Sequence, residues 1–367
     1  MEPNRRQFFR LCGGVLVSSF LPTPHAQLSA MGSPLASRPI SGVQKVIIDT
    51  DPGVDDAFAL FLAMRSPELQ VEAVTVVAGN VPLSVTLPNA LRLVEIAGRN
   101  DIPVAAGASS PLIRKLVDAS YAHGNNGLAG VSFPAAKLEP VKDRAADLIC
   151  KIVRANAGAI SIIGIGPLTN VALALREDPE ISSMIQSIVL MGGSLSGGNV
   201  TPAAEFNFYV DPEAASIVFG SGIPIRMVGL DVTRKVELTQ RHIEKLRGGS
   251  GPVSEAAARI GDAALKMQRA PNSAGRMHLH DPLAVSCLVN PNILTFEDFH
   301  VAIETSGTIT AGESIGWRHS PLYFSAPLQT ADATPVAPFV VNAAVATDVD
   351  SEKFFELLTS RLSQELA

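Results

Sequence analysis

Between Asp49 and Leu60 the chain reads DTDPGVDDAFAL, with four carboxylates inside eight residues. An apolar run, Val46-Ile47-Ile48, leads directly into it. Carboxylates crowded at the end of a buried strand repel one another unless they are hydrogen-bonded, protonated or paired with a cation. Asp55 and Asp56 fall where a helix begins, and acids in a first turn interact favourably with the helix dipole. A cap of this kind accounts for one Asp, not four. A hard divalent cation accounts for the rest. Ca²⁺ takes about six to eight oxygen ligands and tolerates irregular geometry, with Mg²⁺ the next candidate. Zinc would call for His or Cys, which the stretch lacks.

Two further elements carry polar groups suited to a site. His280-Asp281-Pro282 opens an apolar helical run. Asp281 there is a cap or an acidic ligand, and His280 a general acid or leaving-group contact. In EFNFYVDP, Glu205 and Asn207 lie two apart around Phe206. In an extended segment they would share one face and could hold adjacent sugar hydroxyls. A competing reading of DTDPGVDD is the Asp-x-Asp box of a haloacid-dehalogenase-type phosphotransferase, with Asp49 as nucleophile. Such enzymes need a later Lys and an acidic Gly-Asp box. The Gly261-Asp262 pair is followed by AALK and offers no further acid.

Apolar, β-branched runs position these residues. They are VIIDTD at 46–51, VEAVTVVAGN at 71–80, ISIIGIG at 160–166, SIVLMGG at 187–193 and IPIRMVGLD at 223–231. Continuous runs of this kind suit strands buried on both faces, as in parallel sheets. Helical spacing fills the intervals, at Asp55–Met64, Leu83–Ala97, Asp143–Asn156, Asn170–Leu175 and Pro212–Phe219. The alternation predicts an α/β fold with an open, mostly parallel sheet flanked by helices. Ligands in such sheets gather beyond the carboxyl ends of the strands, where Asp49, Asp51, Asn80, the 164–170 and 192–207 loops and Asp231 fall. Residues 239–270 read as helical. From Phe299 the pattern alternates, which predicts a smaller strand-containing C-terminal region.

The chain has 367 residues, 47% of them hydrophobic, enough for a large core, and a formal net charge of −6. The acidic balance and the lack of Lys/Arg clusters argue against nucleic acid as a partner. At the N-terminus, Arg5-Arg6, Phe8-Phe9 and the run Leu11–Leu21 look like a twin-arginine export signal. That run is short for a membrane span. Residues 1–39 therefore read as signal and linker and residues 40–367 as one domain, periphery-free of membrane once exported to the periplasm or medium. Cys150 and Cys287 sit in apolar runs and read as buried thiols, with a disulfide open in an oxidising compartment.

The ordered blocks resemble the nucleoside hydrolase family of the inosine-uridine-preferring type. DTDPGVDDAFAL is joined by VVAGN at 76–80, GPLTN at 166–170, MGGSLSGGNVTPAAEFNFYVDPEAA at 191–215 and HDPLAV at 280–285, in family order. The resemblance implies a tightly bound Ca²⁺ and hydrolysis of the N-glycosidic bond of ribonucleosides to ribose and free base. It implies Asp51, Asp56, Asp281 and the carbonyl of Ile165 as metal ligands. Asp51 would also be the general base, taking a proton from a water held on the metal that attacks C1′. Asp55, Asn80 and Asn207 would bind the 2′- and 3′-hydroxyls, and Glu205 and Asn199 the 5′-hydroxyl end. Met191 would line the pocket, with Asp49 orienting its neighbours. His280 and His123 would assist the leaving base. Where the family has an acid near the end of the His123 loop, Asn126 stands. The 264–280 stretch, often Tyr-rich in the family, has no aromatic, leaving Gln268 and Asn272 as base contacts and the preferred base open. A homo-dimer or homo-tetramer is the implied assembly. The alternative is a non-catalytic exported nucleoside or sugar binder on the same fold.

Overall fold

The apolar runs that precede the carboxylates become the centre of a sheet. The computed structural model describes residues 35–37, 42–268, 276–318 and 340–364. Its strands are β1 (Gln44–Thr50), β2 (Leu69–Val76), β3 (Val104–Ala106), β4 (Ile160–Gly164), β5 (Ile185–Met191), β6 (Ile225–Val228), β7 (Leu294–Ile303), β8 (Ser314–Trp317) and β9 (Ala343–Val349). They form one nine-stranded sheet in the order β3-β2-β1-β4-β5-β6-β9-β7-β8. β7 runs antiparallel to β9 and β8, and every other pairing is parallel.

Burial explains why the strands read as unbroken apolar runs. Val46 and Ile48 of β1 join one apolar cluster and Ile47 the other, so alternate side chains feed opposite faces. One face is covered by the helices Val54–Met64, Gly251–Gln268, His280–Val289 and Ser351–Ser363. The other carries Ala145–Ala155, Thr169–Glu177 and Pro212–Phe219. With both faces covered, no position along β4 is exposed. Cys287 belongs to the first cluster and Cys150 packs against the second, so both are free thiols on opposite sides of the sheet.

Two details refine the sequence expectation. The 239–270 stretch is two helices, Gln240–Arg247 and Gly251–Gln268, broken at Gly248-Gly249-Ser250. The C-terminal strands expected from the alternating pattern are present as β7, β8 and β9. β9 inserts beside β6 and extends the same sheet. The expected export signal lies outside the described residues. Among the described residues no helix is long and apolar enough to cross a membrane.

The chain leaves β1 toward β2 and β3 on one side and crosses to β4 on the other. The carboxyl ends of β1 and β4 therefore flank the point where strand order reverses, and open sheets bind ligands there. DTDPGVDD emerges at that point.

Candidate active site

Each acid of DTDPGVDD has its own position. Asp49 is still in β1, paired with Thr75 of β2 and Gly164 of β4. Its Oδ1 accepts from Thr75 Oγ1 at 2.6 Å and Asn170 Nδ2 at 2.8 Å. It has no exposed surface. Asp51 follows the strand end. Its Oδ2 accepts from the Asn80 amide at 2.6 Å, while Oδ1 is buried with no hydrogen-bond partner. Pro52-Gly53 then turns the chain into the helix Val54–Met64. Asp56 caps that helix through Gly53 N at 2.9 Å and also accepts from Thr50 Oγ1 at 2.6 Å and Asn80 Nδ2 at 2.9 Å. The capping reading thus holds for Asp56, alongside its place in the cluster.

The distant partner arrives on a second helix. His280–Val289 packs along Val54–Met64 and brings Asp281 in its first turn. One oxygen each from Asp55, Asp56 and Asp281 lie within 4.8 Å of one another. Burial and the charges of Asp55, Asp56 and Asp51 push the Asp281 carboxyl well above the ordinary carboxylate range. Burial and Asp56 do the same to Asp51. Burial alone lifts Asp49 to about 7 and Asp55 to about 6. Like charges at this spacing in a dry site must share protons or share a cation. The all-oxygen donor set suits a hard divalent cation, and the bare Oδ1 of Asp51 is an acceptor without a donor. The residues present therefore fit a metal of the Ca²⁺ or Mg²⁺ kind. Ile165, at the end of β4, is tied by its amide to Asp49 O at 2.8 Å and stands beside the acids on the cavity wall.

The acids form the floor of a cavity of about 670 Å³. Asp55 and Asp281 line it, whereas Asp51 and Asp56 are wholly buried beneath. Asp55 thus belongs to both the acid cluster and the wall expected to meet a sugar. Asn80, Met191, Asn199, Glu205 and Asn207 line the same cavity. Glu205 and Asn207 are not in an extended segment. Glu205 caps the short helix Phe206–Val210, accepting from Asn207 N at 2.9 Å and Phe208 N at 3.2 Å, and the turn, not alternation, brings the pair together. Gly193 N adds a third donor at 2.9 Å. Burial still lifts the Glu205 carboxyl to about 7. Asn199 Oδ1 accepts from Phe206 N at 2.9 Å, and Asn207 Nδ2 donates to Met191 O at 3.1 Å.

Both histidines face this cavity. His123 Nδ1 accepts from Val54 N at 3.0 Å, at the start of the acid-bearing helix, and lies 3.9 Å from Asp55 Oδ1. Its loop closes without the usual acid. Asn126 Oδ1 accepts from Leu128 N and Gly130 N, and its Nδ2 donates to Val131 O. His280 Nδ1 lies 2.7 Å from Thr233 Oγ1. Burial and the neighbouring His278 lower its pKa to about 3.

Gln268 reaches the cavity wall, while Asn272 lies outside the described residues. The aromatic surface missing from 264–280 is supplied from elsewhere, by Tyr121 and Phe206. Arg234, Arg276 and His278 also reach the wall unanticipated. Tyr121 stood two residues from His123 and was the one with a signal. A wider groove of about 1060 Å³ lies along Gly251–Gln268, but its charges are engaged in the Arg247–Asp262, Lys266–Asp262 and Arg259–Glu255 pairs.

The family model for inosine-uridine preferring nucleoside hydrolases matches residues 46–356, and the chain belongs to that family. The pyrimidine-specific ribonucleoside hydrolase RihA of Photobacterium profundum is 43% identical over 328 residues, 89% of this chain and 99% of that protein. RihA of Salmonella typhimurium is 43% identical over 318 residues, covering 86% and 97%. Among solved structures, the plant nucleoside hydrolase PpNRh1 superposes with a TM-score of 0.78 at 34% identity, covering 87% of this chain and 99% of that one. The purine-preferring ribonucleoside hydrolase from Gardnerella vaginalis gives 0.77 at 32%, covering 87% and 98%. The protein is a nucleoside hydrolase.

Proposed function

We propose that the protein is an exported, Ca²⁺-dependent hydrolase that releases ribose and free base from ribonucleosides, with pyrimidine nucleosides preferred. The observation that supports the reading is the convergence of Asp55, Asp56 and Asp281, with Asp51 beside them, under a cavity walled by amides and carboxylates. Asp51, Asp56, Asp281 and the Ile165 carbonyl hold the ion, with Asp55 close by. Bound there, Ca²⁺ supplies the positive charge that lets the acids ionise together and acts as a Lewis acid toward water.

The chain's own residues do the rest. Asp51, held through Oδ2 by Asn80, takes the proton of the attacking water as its oxygen bonds to C1′. The C1′–N bond breaks through an oxocarbenium-like ribose, and the base leaves with the bonding electron pair. Asp55, Asn80 and Asn207 hold the 2′- and 3′-hydroxyls, Glu205 and Asn199 the 5′-hydroxyl, and Met191 packs on the sugar. His280 and His123 contact the departing base. The pyrimidine preference is supported by the RihA relatives at 43% identity, against 32% for the purine-preferring structure.

Ribose release from cytidine, uridine, inosine, adenosine and guanosine, with Ca²⁺ and after chelation, tests this. Release fastest from cytidine and uridine, lost on chelation and restored by Ca²⁺, is the expected result. No ribose from any of the five with Ca²⁺ present refutes it. Export by the twin-arginine route to the periplasm or medium rests on Arg5-Arg6 and the following apolar run. Residues 1–39 fused to a reporter should be translocated only when that pathway is intact. A homo-dimer or homo-tetramer of the 40–367 domain is checked by light scattering.

A further inference from the structure

His280 is useful to a departing base only if the right ring nitrogen faces the cavity and carries the proton. A neutral imidazole has one donor and one acceptor nitrogen, and the partner of one decides the state of the other. The structure shows what holds the ring. Thr233 is fully buried at the end of the short helix Leu230–Thr233 that follows β6, and its Oγ1 lies 2.7 Å from His280 Nδ1. Hydrogen bonds fix both sides of this pair. Leu230 N donates to Gly193 O at 3.0 Å, and Asp231 Oδ2 accepts from Leu195 N at 2.9 Å, so the Thr233 turn is clamped to the loop after β5. On the other side, Leu279 N donates to Val236 O at 3.0 Å immediately before His280. Thr233 has no exposed surface, so its hydroxyl has little freedom to wander.

A hydroxyl can give or accept a hydrogen bond. If Thr233 accepted, the ring proton would sit on Nδ1 and the cavity would meet a bare Nε2, which repels the electron pair on a departing base. If Thr233 donates, Nδ1 is the acceptor and Nε2–H faces outward. We propose that Thr233 is a positioning residue for base departure: its hydroxyl donates to His280 Nδ1, keeps the ring proton on Nε2 and aims that N–H at the leaving base. The base takes the C1′–N electron pair, and the Nε2–H hydrogen bond stabilises it without a proton being consumed. This rests on the assignment of His280 to the leaving group.

The test compares two leaving groups in the full protein with Ca²⁺. Uridine needs help at the departing base, whereas p-nitrophenyl β-D-ribofuranoside releases a stable phenolate and does not. Thr233→Val keeps the shape and removes the hydroxyl, and Thr233→Ser keeps the hydroxyl. Thr233→Val is expected to lower kcat on uridine by about 10- to 100-fold, with KM and nitrophenyl riboside turnover changed by less than about threefold. Thr233→Ser should restore uridine turnover to within about threefold. Equal losses on both substrates, or unchanged uridine kcat in Thr233→Val, overturn the inference. His280→Ala separates it from its premise. If that variant keeps full uridine turnover, the assignment of His280 falls and the inference with it. If it loses uridine turnover while Thr233→Val does not, the role of Thr233 alone is overturned.

Discussion

Asp51 has two unlike oxygens. Oδ2 is committed to the Asn80 amide, and Oδ1 has no protein partner although it is buried. One carboxylate thus stays fixed while offering an acceptor to an ion or a water. Replacing Asp51 with Asn keeps the shape and removes both charge and basicity. Ribose release by Asp51→Asn is expected to fall by at least about 10³-fold, and near-normal turnover would refute its role. Glu205 is the opposite case, since three backbone amides from Gly193, Asn207 and Phe208 already point at it. Glu205→Gln turns an N–H₂ group toward at least one of those donors. Denaturant unfolding should show a loss of about 1–3 kcal/mol, and KM for ribonucleosides should rise. Unchanged stability and KM would show that Glu205 neither caps nor binds.

At the scale of elements, the acids depend on backbones that approach them closely. A Cβ on Gly166 would lie 2.5 Å from Asp51 Oδ1, and one on Gly79 would lie 2.1 Å from Asp51 Oδ2. GPLTN and VVAGN therefore need glycine beside Asp51 because of the close approach. Gly166→Ala should weaken Ca²⁺ binding by calorimetry while leaving the circular dichroism of the sheet and helices unchanged. Undiminished Ca²⁺ affinity would mean that Asp51 can move aside at no cost. The central strands and the helices after them were readable because period and length carry that information. β3 was not, since Val104–Ala106 offers three residues and no run. The Phe206–Val210 helix was missed because its cap is a Glu, whereas Ser, Thr, Asp and Asn are the usual signals.

Across the whole molecule, the buried acids make stability depend on pH and on the cation. Asp49 and Glu205 are lifted to about 7 and Asp55 to about 6. Their unfolded values lie near about 4. Between those limits the metal-stripped native state keeps protons that the unfolded chain has released. Its stability is therefore fully present below about pH 4 for these groups and falls as pH rises toward about 7. Asp51 and Asp281, raised further, extend the decline. Thermal melting of chelated protein should show Tm falling from about pH 5 to about pH 8. Added Ca²⁺ should raise Tm more at the higher pH, where it no longer displaces protons. A stripped protein whose Tm rises over that range would contradict the burial of uncompensated acids.

The sequence by itself determined the local facts: apolar runs long enough for buried strands, a helix start at Pro52-Gly53, and the residue types able to hold an ion and a ribose. The family resemblance assigned those residues in order. What only the tertiary structure decided was proximity. Asp281 meets Asp55 and Asp56 because His280–Val289 packs along Val54–Met64, and contacts between segments so far apart leave no trace in periodicity. The aromatic wall from Tyr121 and Phe206, and the hold of Thr233 on His280, have the same origin. Spacing along the chain sets which face a side chain takes, while packing of distant elements sets what that face meets.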